Sequence, residues 1–166
     1  MSIGTIQADQ FDGLARLVRD HGTVHLADLL NELARRRSHW DKAAADGAAA
    51  TATTEHAFER KPADSQVVRN VVFVPDAALV AHAANNATII VRKRKTDGST
   101  PVTVASITTA IAAPGSGDWT AFVAVPFVLA SEAARSLLLG ESLTVEITKA
   151  TAGVVVPAGR LVVEYN

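Results

Sequence analysis

The sequence predicts an α+β protein with three parts: an N-terminal helical hairpin over residues 1–47, a flexible linker over 48–66, and an antiparallel β-sandwich or jelly-roll-like module over 67–166. Three observations support this division. Apolar residues recur at helical spacing in the first part, and alanine and threonine dominate the second. Short β-rich segments separated by glycine and proline turns fill the third. A length of 166 residues is sufficient for one domain with an appendage.

Two helices are predicted, over residues 8–21 and 23–47, with Gly22 between them as a residue suited to ending the first. Short helices do not bury an apolar face by themselves, because most helical stability in proteins comes from tertiary packing. We therefore expect the apolar face of the second helix to contact the β module, another copy of the chain or a partner. Its residues are Leu26, Leu29, Leu30, Leu33 and Trp40.

The predicted linker consists mainly of alanine, threonine, a Lys61-Pro62 pair and scattered charges. This composition is typical of an extended or mobile connection. Phe58 is the single large apolar residue within it, and we expect its ring to dock against a neighbouring surface.

The β module is predicted from alternating or β-branched runs that end at strong turn signals. The turns at 96–99 and 114–118 contain Asp-Gly and Pro-Gly-Ser-Gly, and the first of them predicts a hairpin. A short helix is expected over 131–139, before Gly140. About seven short strands with turns of this kind favour a sandwich or barrel. Six of these strands are expected over 67–74, 88–95, 101–109, 119–125, 143–148 and 160–165.

Composition limits the classes of function. The formal net charge is -1, whereas a dedicated nucleic-acid-binding protein is usually more basic. The absence of cysteine excludes disulfides, thiol catalysis and thiolate zinc sites. The first residues lack the basic and apolar regions of a secretion signal, and no apolar run reaches the roughly 18 residues that a membrane span needs. We therefore expect neither a membrane nor a nucleic acid as partner.

Four segments of the β module resemble the capsid decoration or head-fibre proteins of tailed bacteriophages. The segments are Val72–Leu79, Ala87–Arg94, Leu143–Lys149 and Val156–Glu164, and the resemblance covers residues 67–166. Arg160 departs from the pattern, in which a small polar residue such as threonine is expected.

The resemblance implies a non-catalytic virion structural protein, a minor capsid component that decorates or stabilises the head. Proteins of this kind bind the outer surface of the assembled shell, often as trimers. The implied partners are the major capsid protein and further copies of the chain. The implied location is the capsid surface of the virion, after synthesis in the cytoplasm of the bacterial host.

A basic run over residues 92–95 is the most concentrated charge in the chain. On a strand, Arg92 and Arg94 point to one side, and the lysines at 93 and 95 point to the other. Such a run either binds anions or protects an edge strand from aggregation, and edge protection is favoured. The predicted partner or oligomer contacts are Leu26, Leu29, Leu30, Leu33, Trp40, Arg92 and Arg94.

No constellation typical of catalysis is evident. His21 and His25 have the spacing of a helical metal pair, but the predicted helix break falls between them. Ser116 lies in Gly-Ser-Gly, which lacks the spacing and context of a nucleophile elbow. Glu146 and Glu164 could face each other as a carboxylate pair like that of glycosidases, but both alternate with apolar residues and are expected to be surface charges. We therefore expect no catalytic, cofactor or metal site, and no enzymatic activity.

Two other functions stay open. The first is a carbohydrate-binding or receptor-binding β-sandwich of a tail or surface appendage, for which Trp119 and Tyr165 are the available aromatic residues. The second is a DNA-binding regulator, because residues 14–37 resemble the start of a helix-turn-helix. The arginines at 35–37 form a weak basic patch, which nearby acidic residues dilute.

Overall fold

The computed structural model describes residues 36–45, 54–60, 66–111, 116–150 and 154–165. The predictions made for the segment before residue 36 lie outside these residues. They include the first helix, the His21 and His25 pair, most of the helix-turn-helix pattern, and the contact residues Leu26, Leu29, Leu30 and Leu33.

The described residues form ten strands and one short helix. In chain order these are β1 (Arg36–Lys42), β2 (Thr54–Arg60), β3 (Gln66–Pro75), β4 (Ala87–Arg94), β5 (Val102–Thr108), β6 (Val125–Pro126), β7 (Val128–Leu129), α1 (Glu132–Arg135), β8 (Ser136–Leu137), β9 (Ser142–Lys149) and β10 (Gly159–Tyr165).

The strands are arranged in two antiparallel sheets. The first sheet has the order β1-β10-β3-β6, with β8 also paired to β3. The second sheet has the order β2-β9-β4-β5-β7. The predicted hairpin is confirmed, since β4 pairs with β5 across the turn at residues 96–99.

Alternating side chains explain why these segments form strands that share one core. In β10, Leu161, Val163 and Tyr165 are buried, whereas Arg160 is exposed. Strands β3, β4 and β9 alternate in a similar way. Their buried residues form a single hydrophobic cluster with those of β10. Within it, the rings of Phe73 and Trp119 pack edge to face, with centroids 5.6 Å apart.

The predicted α+β fold class is wrong. Of the described residues, 56% are in strands and 4% in helix, and no helix among them reaches seven residues. Residues 36–42, which we expected to continue the second helix, form β1 and pair along their whole length with β10. The reason is a period of two: Ser38 and Lys42 are buried and Trp40 is half-buried, whereas the residues between them are exposed.

Three other segments differ from the expected elements. The strand expected over 119–125 does not form: Trp119 makes an isolated bridge with Leu79, residues 121–123 turn, and only Val125 belongs to a strand, β6. Thr54–Arg60, inside the stretch assigned to the linker, forms β2 at the edge of the second sheet, and Phe58 packs against the core as an anchor would. The helix expected over 131–139 is limited to the four residues of α1. After it the chain becomes extended and pairs with β3 through β8.

The connections between strands gather at two ends of the module. Lys42 pairs with Gly159, Gly159 with Pro75, and Lys149 with Ala87. The β1–β2, β3–β4, β5–β6 and β9–β10 connections therefore leave the strands at the same end. The β4–β5 turn and residues 138–141 lie at the opposite end.

Candidate interaction surfaces

The outer face of the second sheet carries the two arginines singled out from the sequence. Arg94 on β4 donates from Nε to Oε1 of Glu55 at 2.7 Å and from Nη2 to Oε2 at 2.5 Å. Glu55 belongs to β2, and β9 lies between β2 and β4, so this bidentate pair crosses a whole strand. Thr144 on the intervening strand donates to Oε1 of Glu55 at 2.6 Å.

These contacts change the acidity of Glu55. The hydrogen bonds from Arg94 lower the pKa of this carboxyl from 4.5 to about 2, and the Thr144 hydroxyl contributes in the same direction. Desolvation opposes the shift but is outweighed. The carboxylate is therefore ionised at neutral pH and holds the edge strand β2 to the rest of the sheet.

A second pair completes this surface. Arg92 donates to both carboxylate oxygens of Glu146 on β9, at 2.9 and 3.1 Å. We call the surface formed by Glu55, Arg92, Arg94, Thr144 and Glu146 the charge-paired face. Because β4 lies between β9 and β5, its arginines do not protect an edge strand, and that interpretation is wrong. They join neighbouring strands, and their role as partner contacts stays a prediction.

The outer face of the first sheet is organised in a similar way. Arg160 on β10 donates to Asp41 on β1 at 2.7 Å, and Arg37 on β1 donates to Glu164 on β10 at 2.8 Å. Hydrogen bonding from Arg160 lowers the pKa of Asp41. Arg160 therefore helps to hold β1 to β10. Glu164 and Glu146 lie on different sheets, so they do not form an opposed carboxylate pair.

Trp40, another predicted contact residue, lies where the two edge strands meet. Its ring stacks on His56 of β2, with centroids 5.6 Å apart and planes inclined by 28°. The two rings line a cavity of about 300 Å³ together with Asp41, Lys42 and Ile147, among other residues. Lys42 is buried and donates to the carbonyl oxygen of Ala44. Trp40 is half-buried, so much of its apolar surface is already used within the module.

One end of the module exposes an unusual amount of apolar surface. Among the residues that the structure describes, eight large hydrophobic side chains are exposed, and five belong to the connections at one end. We call the surface of these connections, over residues 76–86, 109–111, 116–124 and 154–158, the apolar end. The five exposed residues are Val80, Ile111, Phe122, Val123 and Val155.

Backbone hydrogen bonds fix the connections of the apolar end to one another and to the strands. Leu79 and Trp119 exchange two such bonds at 2.8 Å, and the Trp119 ring is buried in the core. The apolar end is therefore a built surface rather than a set of separate loops. Further links are Phe122 N to Pro75 O at 2.7 Å, Asp76 N to Ala158 O at 2.8 Å and His82 N to Thr109 O at 2.9 Å.

The aromatic residues available to the carbohydrate-binding alternative are both in the core, with Trp119 1% exposed and Tyr165 5% exposed. Among the described parts of the chain there is no group of three or more histidine, aspartate or glutamate residues placed to hold a metal ion. The same residues contain no helix long and apolar enough to cross a membrane.

Sequence reasoning did not single out Glu55 or Phe122. Glu55 stands in a stretch read as a linker, and its partner Arg94 is 39 residues away. Phe122 stands inside the strand predicted over 119–125, and the sequence gives no sign that its ring is exposed in a turn.

Comparisons with known proteins identify no relative: no family model, no curated protein and no solved structure matches the chain.

Proposed function

We propose that this protein is a non-catalytic structural component of a tailed-phage particle, which binds the capsid surface and decorates or stabilises the head. The observation that carries the proposal is the position, within the two sheets, of the four segments that resemble decoration proteins. Two of them include the last four residues of β3 and most of the adjacent strand β10, and the other two cover the adjacent strands β4 and β9 almost completely. The resemblance thus coincides with the central strands of both sheets.

The charge arrangement supports a scaffold more than a reactive site. The arginines and carboxylates of the charge-paired face are bonded to each other and link three strands. The corresponding groups of the first sheet link β1 to β10. Side chains used in this way hold a binding module in shape, while the apolar end supplies surface for contact with another protein.

The direct test mixes purified full-length protein with undecorated phage heads and examines them by electron microscopy. The proposal predicts added density at regular positions on the outer shell, with saturable stoichiometry. Heads that already carry their decoration protein are the control, because their sites are occupied. Bare heads without added density at saturating protein concentration would contradict the proposal.

We also propose that the protein is a homotrimer. Several copies held around one axis would bind a shell with high avidity even if each single contact is weak. The small valine and alanine side chains that dominate the composition suit close approach between subunits. Light scattering should therefore give three times the 17.4 kDa chain mass. A single-chain mass at high micromolar concentration would exclude the trimer and leave capsid binding to be judged by microscopy.

A further inference from the structure

Phe122 is placed in an unusual way for a phenylalanine. Its side chain is 76% exposed and its backbone lies in the left-handed region, with φ at 60°. Bulky residues rarely adopt this conformation, and backbone strain of this kind concentrates at functional sites. The position is held by the hydrogen bond from its N–H to the carbonyl of Pro75 and by a turn from Val123 N to Thr120 O at 3.2 Å. An exposed ring contributes little to the stability of the fold, so we expect its role to be contact with another molecule.

The ring belongs to a group of apolar side chains. Val123 follows Phe122 directly, and Val80, Ile111 and Val155 are exposed on the connections that share this end. Exposed hydrophobic residues scattered singly are ordinary, whereas a group at one end of a domain is typical of a surface that contacts another protein. Aromatic residues are the usual anchors of such contacts.

The charged side chains on the described connections of this group are carboxylates. Arg160 on the adjoining strand β10 also interacts with Asp76, but its charge is paired with Asp41. The connecting segments 76–86, 109–111, 116–124 and 154–158 contain Asp76 and Asp118 but no lysine or arginine. The Asp118 carboxylate accepts a hydrogen bond from the backbone N–H of Ala81 at 2.7 Å, which fixes it beside the exposed Val80. At the opposite end, the segments 95–101 and 130–141 contain both acidic and basic residues. The apolar end is therefore the acidic end.

We propose that the apolar end is a docking surface, anchored by Phe122, for another protein whose surface is apolar and bordered by lysine or arginine. A second copy of the chain docking through this same end would bring Asp76 and Asp118 against their own equivalents, which opposes self-association there. The partner therefore presents a surface different from the apolar end itself. If that partner is the capsid, the inference rests on the proposed function and names the end of the module that attaches.

The first test measures the chemistry of the surface with defined probes. Fluorescence anisotropy would compare full-length protein with two short labelled amphipathic peptides, one of leucine and lysine and one of leucine and glutamate. We expect the lysine peptide to bind roughly tenfold more tightly than the glutamate peptide. Phe122→Ser should weaken lysine-peptide binding by roughly tenfold to a hundredfold, because it removes the apolar contact of one phenylalanine.

The matched control is Leu139→Ser, which removes an equally apolar side chain, 64% exposed, at the opposite end. It should leave binding within about twofold of wild type. Equal binding of the two peptides, or equal losses in the two variants, would overturn the proposal. Asp76→Asn should weaken the lysine peptide by roughly twofold to fivefold. Glu132→Gln, another exposed carboxylate but at the opposite end, serves as its control.

A second variant separates docking from folding. Glycine adopts the left-handed conformation without strain, so Phe122→Gly should unfold at a temperature no lower than wild type, yet bind the lysine peptide as weakly as Phe122→Ser. Wild-type affinity of Phe122→Gly for the lysine peptide would overturn the proposal. Bare phage heads then distinguish the two ideas. Equal binding of heads by wild type and Phe122→Ser would overturn the inference that this end attaches to the capsid. Peptide selectivity without head binding would overturn the proposed phage role alone.

Discussion

Replacing Glu55 by glutamine tests whether the bidentate contact with Arg94 holds β2 in place. The change keeps the side-chain shape and removes the charge. A fall in pKa from 4.5 to about 2 corresponds to about 3 kcal/mol of stability if it is fully realised. Because 24% of the Glu55 side chain is exposed, solvent and salt screen the pair, and we expect a loss of about 1–2 kcal/mol at pH 7.

The sign of the pH dependence follows from the lowered pKa. A carboxyl with a depressed folded-state pKa contributes its full stability above 4.5, its unfolded value, and loses it as pH falls through that value towards about 2. Wild type should therefore exceed Glu55→Gln in free energy of unfolding at pH 7, and the difference should disappear near pH 2. Other ion pairs, including Asp41 with Arg160, weaken in both proteins and cancel in the comparison.

Urea unfolding followed by circular dichroism at several pH values would measure this difference. Glu132→Gln is the matched control, because its carboxylate is 64% exposed and lies 3.8 Å from Arg69. The control should differ from wild type by less than about 0.5 kcal/mol at every pH. A Glu55→Gln variant as stable as wild type at pH 7, or a difference that persists unchanged at pH 2, would refute the role given to this pair.

Three further substitutions probe the fold. Gly159→Ala should lower the free energy of unfolding by about 1–3 kcal/mol in urea titrations, because a Cβ there would lie 2.5 Å from the Val74 carbonyl oxygen; an unchanged midpoint would contradict this contact. Leu161→Ala empties a fully buried position and should cost about 2–5 kcal/mol in the same assay, and a cost below 1 kcal/mol would place the residue outside the core. Arg160→Thr removes an exposed pair with Asp41 and should lower the thermal unfolding temperature only slightly; a fall as large as that of Leu161→Ala would show that β1 depends on this pair.

The strands that could be predicted from sequence are those whose alternation is uninterrupted. Leu143, Val145 and Ile147 all face the core, and the strand over 160–165 is present with one residue added at its start. In contrast, the buried side of β1 carries Ser38 and Lys42, whose polar side chains do not indicate burial. The period of two in β1 is therefore not evident from the apolar residues alone. Trp40 instead fits the helical spacing of the leucines that precede it.

The functional surfaces were predicted less well, because they are formed by residues that are far apart in the sequence. The strand period correctly predicts that Arg92 and Arg94 share a face, where each binds a carboxylate. The identity of those carboxylates depends on strand order, which local sequence does not specify. The exposure of Phe122 depends on a left-handed backbone conformation that its residue type disfavours. A strained position of this kind is visible only once the surrounding connections are placed.

Electron microscopy of bare phage heads mixed with the full-length protein tests the proposed function in one measurement. The account predicts one regularly repeated density on the outer shell, with the apolar end of each module facing the capsid and the β4–β5 turn pointing away. Heads that stay bare at saturating protein would contradict it.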